Sequence, residues 1–335
     1  MMFGDFGYQH FDWWHEKVPG AYDINGELED FEHYGLFKNK VMNLGFTLGL
    51  SDYWNMTILQ LISERCMEWE SDVDPDTGES LTVHHRTECS SDDFFNEEKQ
   101  IAFGGLLGDT KINFRYLLFN QVKGPGSRLF LGLGLDIPSS NVITESPWTK
   151  SNHDNDPETP DTYTPHRHFY LSDGAYKMNW ELQFFKKRMQ YPVFWGGTFA
   201  FSFPLNDSKY GFTPSKRYQL SLLAMSSSLP FQKFKWGKLS ISSIGFTFTI
   251  AHAGRSQWEG QGDTPNSKSI LYVPGINVLF GLEDGGGFGL NINRGYEYYF
   301  NESESDIEEK NDIYSISISY RKVLDKVIDR LYWDK

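Results

Sequence analysis

The residues whose types and spacing could support chemistry form four small groups. Asp72-Val73-Asp74-Pro75-Asp76-Thr77-Gly78 sets carboxylates at the first, third and fifth positions, as a calcium loop does. That loop needs glycine at its sixth position and glutamate at its twelfth, where this stretch has Thr77 and Val83. A solvated acidic loop is the better reading of Asp72, Asp74 and Asp76. His166 and His168 would share one face of a strand, and His84-His85 is a second pair. Zinc sites take three or four ligands, and only His153 suggests itself as a third. Exposed loop histidines are the simpler reading, so neither a metal nor a cofactor is expected. His252 and Ser256 are the nearest base–nucleophile pair, with Ala253-Gly254-Arg255 between them and no recognisable signature around them. Cys66 and Cys89 stand 23 positions apart with polar sequence between. They read either as unrelated thiols or as a loop disulfide formed in an oxidising compartment.

A fifth group is defined by position rather than reactivity. Lys111, Asn113 and Arg115 alternate in one stretch, and Lys177, Asn179, Glu181 and Gln183 alternate in another. Asp136, Asn277, Asn291 and Asn293 hold similar places elsewhere. Apolar residues fill the intervening positions. Met42, Leu44, Phe46, Leu48 and Leu50 alternate with small or polar neighbours, as do Leu129, Leu131, Leu133, Leu135 and Ile137. Tyr314, Ile316, Ile318 and Tyr320 interleave with serines. A period of two means strands with one apolar and one polar face.

The pattern predicts twelve strands, near 40–50, 54–63, 98–107, 110–120, 127–137, 174–186, 192–204, 214–225, 237–253, 268–282, 287–300 and 311–323. Gly108-Asp109 and Glu283-Asp284-Gly285-Gly286-Gly287 read as tight turns. Ser63–Glu97, Pro138–Pro165 and Gly254–Lys268 read as loops. Long connections then follow the second, fifth and ninth strands, which breaks the alternation of short turns and long loops expected of a membrane barrel. A strand hidden in 1–37 or 138–165 would repair it, so fourteen strands is the alternative. Leu324, Val327, Ile328 and Leu331 have helical spacing and predict a short amphipathic helix over 324–335.

Composition separates the two environments such strands could occupy. Aromatic residues make up 16% of the chain and there are 31 glycines, yet mean hydropathy is −0.49. The longest uncharged run, Met189–Asn206, is 18 residues and is interrupted by Pro192, Gly196-Gly197 and Pro204, so no helical span is expected. Polar faces rich in Gly, Ser, Thr and Asn suit a lumen better than a soluble exterior, which would be more charged. Aromatic residues near strand ends (Trp54, Tyr116, Tyr176, Trp195, Tyr218, Tyr272, Tyr320) fit interfacial girdles. The chain thus reads as all-β, a transmembrane antiparallel β-barrel over 38–323, preceded by a periplasmic extension or plug at 1–37 that could hold one strand. With 31 basic against 45 acidic residues, net −14, nucleic acid is excluded as a partner. Met1-Met2-Phe3-Gly4-Asp5 has no secretory leader, so a barrel implies one already removed.

Three stretches carry a family resemblance. Gly49-Leu50-Ser51-Asp52-Tyr53-Trp54 resembles an inter-strand turn, and Gly108-Asp109-Thr110-Lys111-Ile112-Asn113-Phe114-Arg115-Tyr116 a Gly-Asp turn entering a strand. Leu131-Gly132-Leu133-Gly134-Leu135-Asp136-Ile137-Pro138-Ser139 is similar to a strand ending in Leu-Pro-Thr-Gly, though Ser140 stands where that glycine would be. All three are features of the outer-membrane transporter family named for the MetA pathway of phenol degradation. The resemblance covers about a third of the chain. It implies a Gram-negative outer-membrane barrel with a transport role and no catalytic residues.

The expected function is a porin-like channel giving passive or semi-selective passage to small neutral or amphipathic solutes. The group from Lys111 to Asn293 named above would line its lumen, and outer-membrane lipid would surround it. Two other readings are a structural barrel with a filled lumen that binds a periplasmic or membrane protein, and a lipid-hydrolysing barrel built on His252 and Ser256.

Overall fold

The computed structural model describes residues 1–15, 33–70, 105–121, 126–144, 146, 170–189, 193–226, 235–236, 239–264, 267–282, 286–300 and 307–324. Twelve long strands follow one another as β1 (Met2–His15), β2 (His33–Gly49), β3 (Trp54–Glu70), β4 (Leu107–Asn120), β5 (Gly126–Ile137) and β6 (Lys177–Lys187). They continue as β7 (Phe194–Pro204), β8 (Arg217–Met225), β9 (Leu239–Ala253), β10 (Ser269–Gly281), β11 (Gly287–Phe300) and β12 (Ile307–Lys322). Each pairs antiparallel with its sequence neighbours, and β12 pairs with β1, for example Ile318 with Phe6. The sheet closes on itself, so no barrel strand is left with an open edge.

The side-chain distribution is the reverse of a soluble protein's. Every one of the twelve strands carries a large apolar side chain at least 37% exposed, among them Phe6, Leu44, Phe114, Phe199, Phe246 and Ile318. Among the described residues, buried polar side chains outnumber buried apolar ones. An apolar belt of this extent in contact with water would be strongly unfavourable, whereas lipid accepts it. Rings group at both ends of the belt. Trp54 stacks obliquely on Tyr116 at 4.8 Å and Phe288 on Tyr320 at 5.0 Å at one end. At the other, Phe201 lies 4.7 Å from Tyr218 and Tyr272 6.2 Å from Tyr298.

Connections at the two ends differ. Both described termini share one end with the strand ends that flank 50–53, 121–125, 188–193, 226–238 and 282–286. In the first of these, the Ser51 hydroxyl accepts hydrogen bonds from the Tyr53 and Trp54 amides at 3.2 and 3.1 Å. The strand ends that flank the longer stretches, 71–106 and 138–176 among them, are at the opposite end. The broken alternation expected from sequence is thereby repaired. Residues 2–15 are a strand of the wall, not a plug. Gly108 and Asp109 lie inside β4 and form no turn, and only Leu107 of the expected strand 98–107 belongs to β4. Residues 98–104, and the expected helix beyond Leu324, lie outside the described residues.

At the loop end, Phe212–Thr213 pairs with Gln257–Trp258 in a two-stranded ribbon. Phe212, Trp258 and Ile143 bury one another completely or nearly so, with Tyr170 against them. This small core joins the connections 138–176, 205–216 and 254–268 above the barrel.

Candidate functional site

Strand parity decides what faces inward. With Ile112, Phe114 and Tyr116 on the outside of β4, Lys111, Asn113 and Arg115 point to the lumen, as do Asp136 of β5 and Lys177, Asn179, Glu181 and Gln183 of β6. On β10 and β11 the same argument places Asn277, Asn291 and Asn293 inside.

These side chains lie flat against the wall. Arg115 Nε is 2.9 Å from Glu181 Oε1, although β5 lies between their strands. The bridge passes over Gly132, which pairs with both residues; a Cβ there would come within 3.0 Å of the Glu181 Cβ and 3.6 Å of the Arg115 Cγ. Glycine leaves room for this close approach, which any larger residue could keep only by displacing Glu181. Asn113 also donates to Glu181 at 3.3 Å, and Gln183 donates to the same carboxylate. Lys111 Nζ is 3.3 Å from Asp136, which accepts a second bond from Asn179 at 2.6 Å. On the other side most contacts are neutral, Asn291 to Ser317 at 3.0 Å, Asn293 to Ser315 at 3.3 Å and Ser221 with Thr249 at 2.9 Å, and the carboxylates there, Asp5 and Glu297, accept from Asn43 at 2.8 Å and Ser269 at 2.9 Å. Apart from Gln183 with Glu181, both on β6, each contact joins neighbouring or next-neighbouring strands.

A second cluster sits at the loop end of the lumen. Lys177 Nζ lies 2.9 Å from Asp173 and 3.3 Å from Asp109, all three well buried. Arg217 of β8 approaches Asp173 at 3.9 Å, and Arg65 of β3 donates to the Tyr170 carbonyl at 2.5 Å. Arg65, Lys177 and Arg217 are inward positions on strands spread around much of the ring. Residues 170–173 of the long connection therefore reach across the mouth. Gly174 permits the bend that follows, with φ of 74° and Val142 and Ser208 too close for a Cβ.

Sequence reasoning missed Arg65, Asp109, Asp173 and Arg217. Asp109 read as a turn residue, and Arg65 fell in a presumed loop. Of the remaining expectations, Cys66 lies buried within β3 rather than in a loop, and Cys89 lies outside the described residues. Asp72, Asp74, Asp76, His166 and His168 also lie outside them, and among the described residues no group of metal-binding side chains gathers. His252 and Ser256 are not brought into a site. His252 faces outward beside Tyr218, at 6.1 Å between rings, while Ser256 is fully buried beneath the loops, where no lipid could reach its hydroxyl.

No family model matches the sequence, and no curated protein matches it. Among solved structures, the COG4313 outer membrane channel from Pseudomonas putida F1 is similar with a TM-score of 0.50 and 12% identity, covering 95% of this chain and 93% of that one. A FadL homologue from Pseudomonas aeruginosa gives a TM-score of 0.38 and 8% identity over 95% and 90% of the two chains. The CymD monoaromatic hydrocarbon channel gives 0.35 and 8% over 95% and 87%. At these identities the first likeness establishes a shared barrel fold, and the other two add nothing to it.

Proposed function

We propose that this chain is an outer-membrane channel for small neutral or amphipathic solutes. The observation that supports the reading most directly is the lumen wall. On β4–β6 its charged groups pair along the wall, Arg115 with Glu181 over Gly132 and Lys111 with Asp136, while the opposite arc presents mainly Ser, Thr, Asn and Gly, with Asp5 and Glu297 held by neutral donors. Such a surface offers hydrogen bonds without a strong field of one sign. The COG4313 channel of Pseudomonas putida and the resemblance to the MetA-pathway transporter family agree with a transport role. A bacterial outer membrane is the corresponding location, with the long connections outward and the short turns towards the periplasm.

Planar-bilayer recording of the purified chain tests the reading. Discrete conductance steps with a cation-to-anion permeability ratio near unity are expected, together with swelling of liposomes in small uncharged solutes. A folded, heat-modifiable protein that gives neither would favour a filled lumen and a structural role.

A further inference from the structure

The outer surface carries a depression that the lumen does not explain. Across β6–β9 the outward positions include Leu182, Phe184 and Leu222, but Gly197 and Ala224 stand among them where neighbours place large side chains. The result is an apolar groove of about 800 Å³ on the belt itself. That volume falls within the range of sites that hold small ligands, roughly 300–1,000 Å³.

The groove is not apolar along its whole length. On the outward stripe of β6, Leu182 and Phe184 are followed by Lys186 and then, at the start of the 188–193 turn, by Arg188. Lys186 pairs in register with Trp195, whose ring is 5.5 Å from Phe184, and Arg188 lines the groove directly. Inward cations such as Lys111, Arg115 and Lys177 each have a carboxylate within 3.3 Å. Among the described residues, neither Lys186 nor Arg188 has one within ion-pair distance. Two cations without acidic partners are therefore set at the polar end of an apolar groove, beside an interfacial tryptophan, in a chain of net charge −14.

We infer that this groove holds one anionic glycerophospholipid of the leaflet on the turn side, an acyl chain lying over Gly197 and Ala224 and the phosphate meeting Lys186 and Arg188. A zwitterionic lipid would fill the same depression but would cancel much of its attraction for two cations. The inference needs the barrel to span a membrane and does not depend on conduction.

Native mass spectrometry of the detergent-extracted full chain tests it, using phosphatidylglycerol, phosphatidylcholine of the same acyl composition, and lipid A as probes. A cation beside an anionic headgroup favours binding by about fivefold, so phosphatidylglycerol should be retained at least tenfold over phosphatidylcholine. Lys186→Gln with Arg188→Gln should bring the two lipids level, and Ala224→Leu should lower retention of both. Unheated SDS migration checks that each variant is folded, and the charge variants alone decide the matter if Ala224→Leu does not fold. Equal retention by the parent chain, or undiminished phosphatidylglycerol retention in the glutamine variant, would overturn the inference. Preferential retention of lipid A would also overturn it, because that lipid belongs to the leaflet at the loop end. A chain that needs no detergent to stay soluble would remove the membrane reading itself.

Discussion

Charge reversal at Lys111 and Arg115 tests both the facing of β4 and the nature of the lumen. An ion passing about 5 Å from either side chain through water feels roughly 0.8 kcal/mol from a unit charge. Reversal doubles the swing, and screening near 0.1 M salt, where the Debye length is about 10 Å, removes up to half of it. The net change is on the order of 1 kcal/mol per position for either ion and of opposite sign for the two, or about fivefold in each permeability and roughly 25-fold in their ratio. Lys111→Glu with Arg115→Glu should therefore move a weakly selective channel well towards cations. The reversal also sets a second carboxylate against Glu181, whose oxygens now lie 2.9 and 3.4 Å from the Arg115 guanidinium nitrogens. Arg115→Glu alone should lower stability by about 1–3 kcal/mol, below the fully buried case because the pair is partly exposed. The charge swap Arg115→Glu with Glu181→Arg should restore most of it. Permeability ratios in planar bilayers, with heat-modifiable migration as the folding check, decide the outcome. A ratio unchanged within a factor of two in a folded double variant would refute a conducting path along this wall. Failure of both the reversal and the swap to assemble would mean that β4 faces lipid through these residues, where a charge costs about 2–4 kcal/mol at the midplane.

Three further outcomes are expected. Gly132→Ala forces a Cβ to 3.0 Å from the Glu181 Cβ and should destabilise the barrel by about 1–3 kcal/mol, read as a lower temperature for the heat-modifiable shift. Cys66 and Cys89 should appear as one linked pair in non-reducing peptide maps, and reduction should cost roughly 3 kcal/mol in the chain-entropy account; two alkylated thiols in folded protein would reject the pairing. Hydrogen bonds from Arg255 and Gln257 hold the Asp263 carboxyl below its ordinary range. Its contribution to the loop over Trp258 should be fully present above about pH 3.9 and be lost as pH falls through the lower folded value. Tryptophan emission or loop proteolysis should change there and not near neutrality.

Alternation made most of the wall legible because lipid on one side and water on the other give each strand two chemically distinct faces. Where that contrast fades, the strands disappeared from view. In β1 the rings of Phe6 and Tyr8 face outward, but Phe3 packs inside over Gly45 and Phe11 meets Phe37 inside at 5.3 Å. Rings on both faces erase the period. The start of β2 and the end of β3 project past the apolar belt, where Lys40 and Glu64 pair on the outer surface at 3.0 Å. Outward positions there include Lys38, Lys40 and Glu64, so Arg65 and Cys66 resembled loop. The lumen residues of β4 and β6 were legible individually. Their pairing across Gly132 was not, because it depends on register between strands more than sixty positions apart, which no local pattern encodes.

The two polar clusters divide the passage into unlike regions. At the mouth, Arg65, Lys177 and Arg217 alternate with Asp109 and Asp173 around the segment 170–173, so a permeating ion would have to compete with short bonds already made. A small neutral solute faces no such competition, since it neither needs a counter-charge nor breaks one. Below the mouth, the β4–β6 arc keeps its charges neutralised two by two, and the β9–β12 arc offers carboxamides and hydroxyls that can exchange partners with a solute at little net cost. A solute with one apolar and one hydrogen-bonding side could follow that second arc along its length, where Asn293 and Ser319 lie flat over Gly275 and Gly289. On the channel reading, selectivity is then set by width and hydrogen-bonding capacity at 170–173 and not by the sign of charge, which is why reversing the wall charges should alter ion ratios without closing the path to neutral solutes.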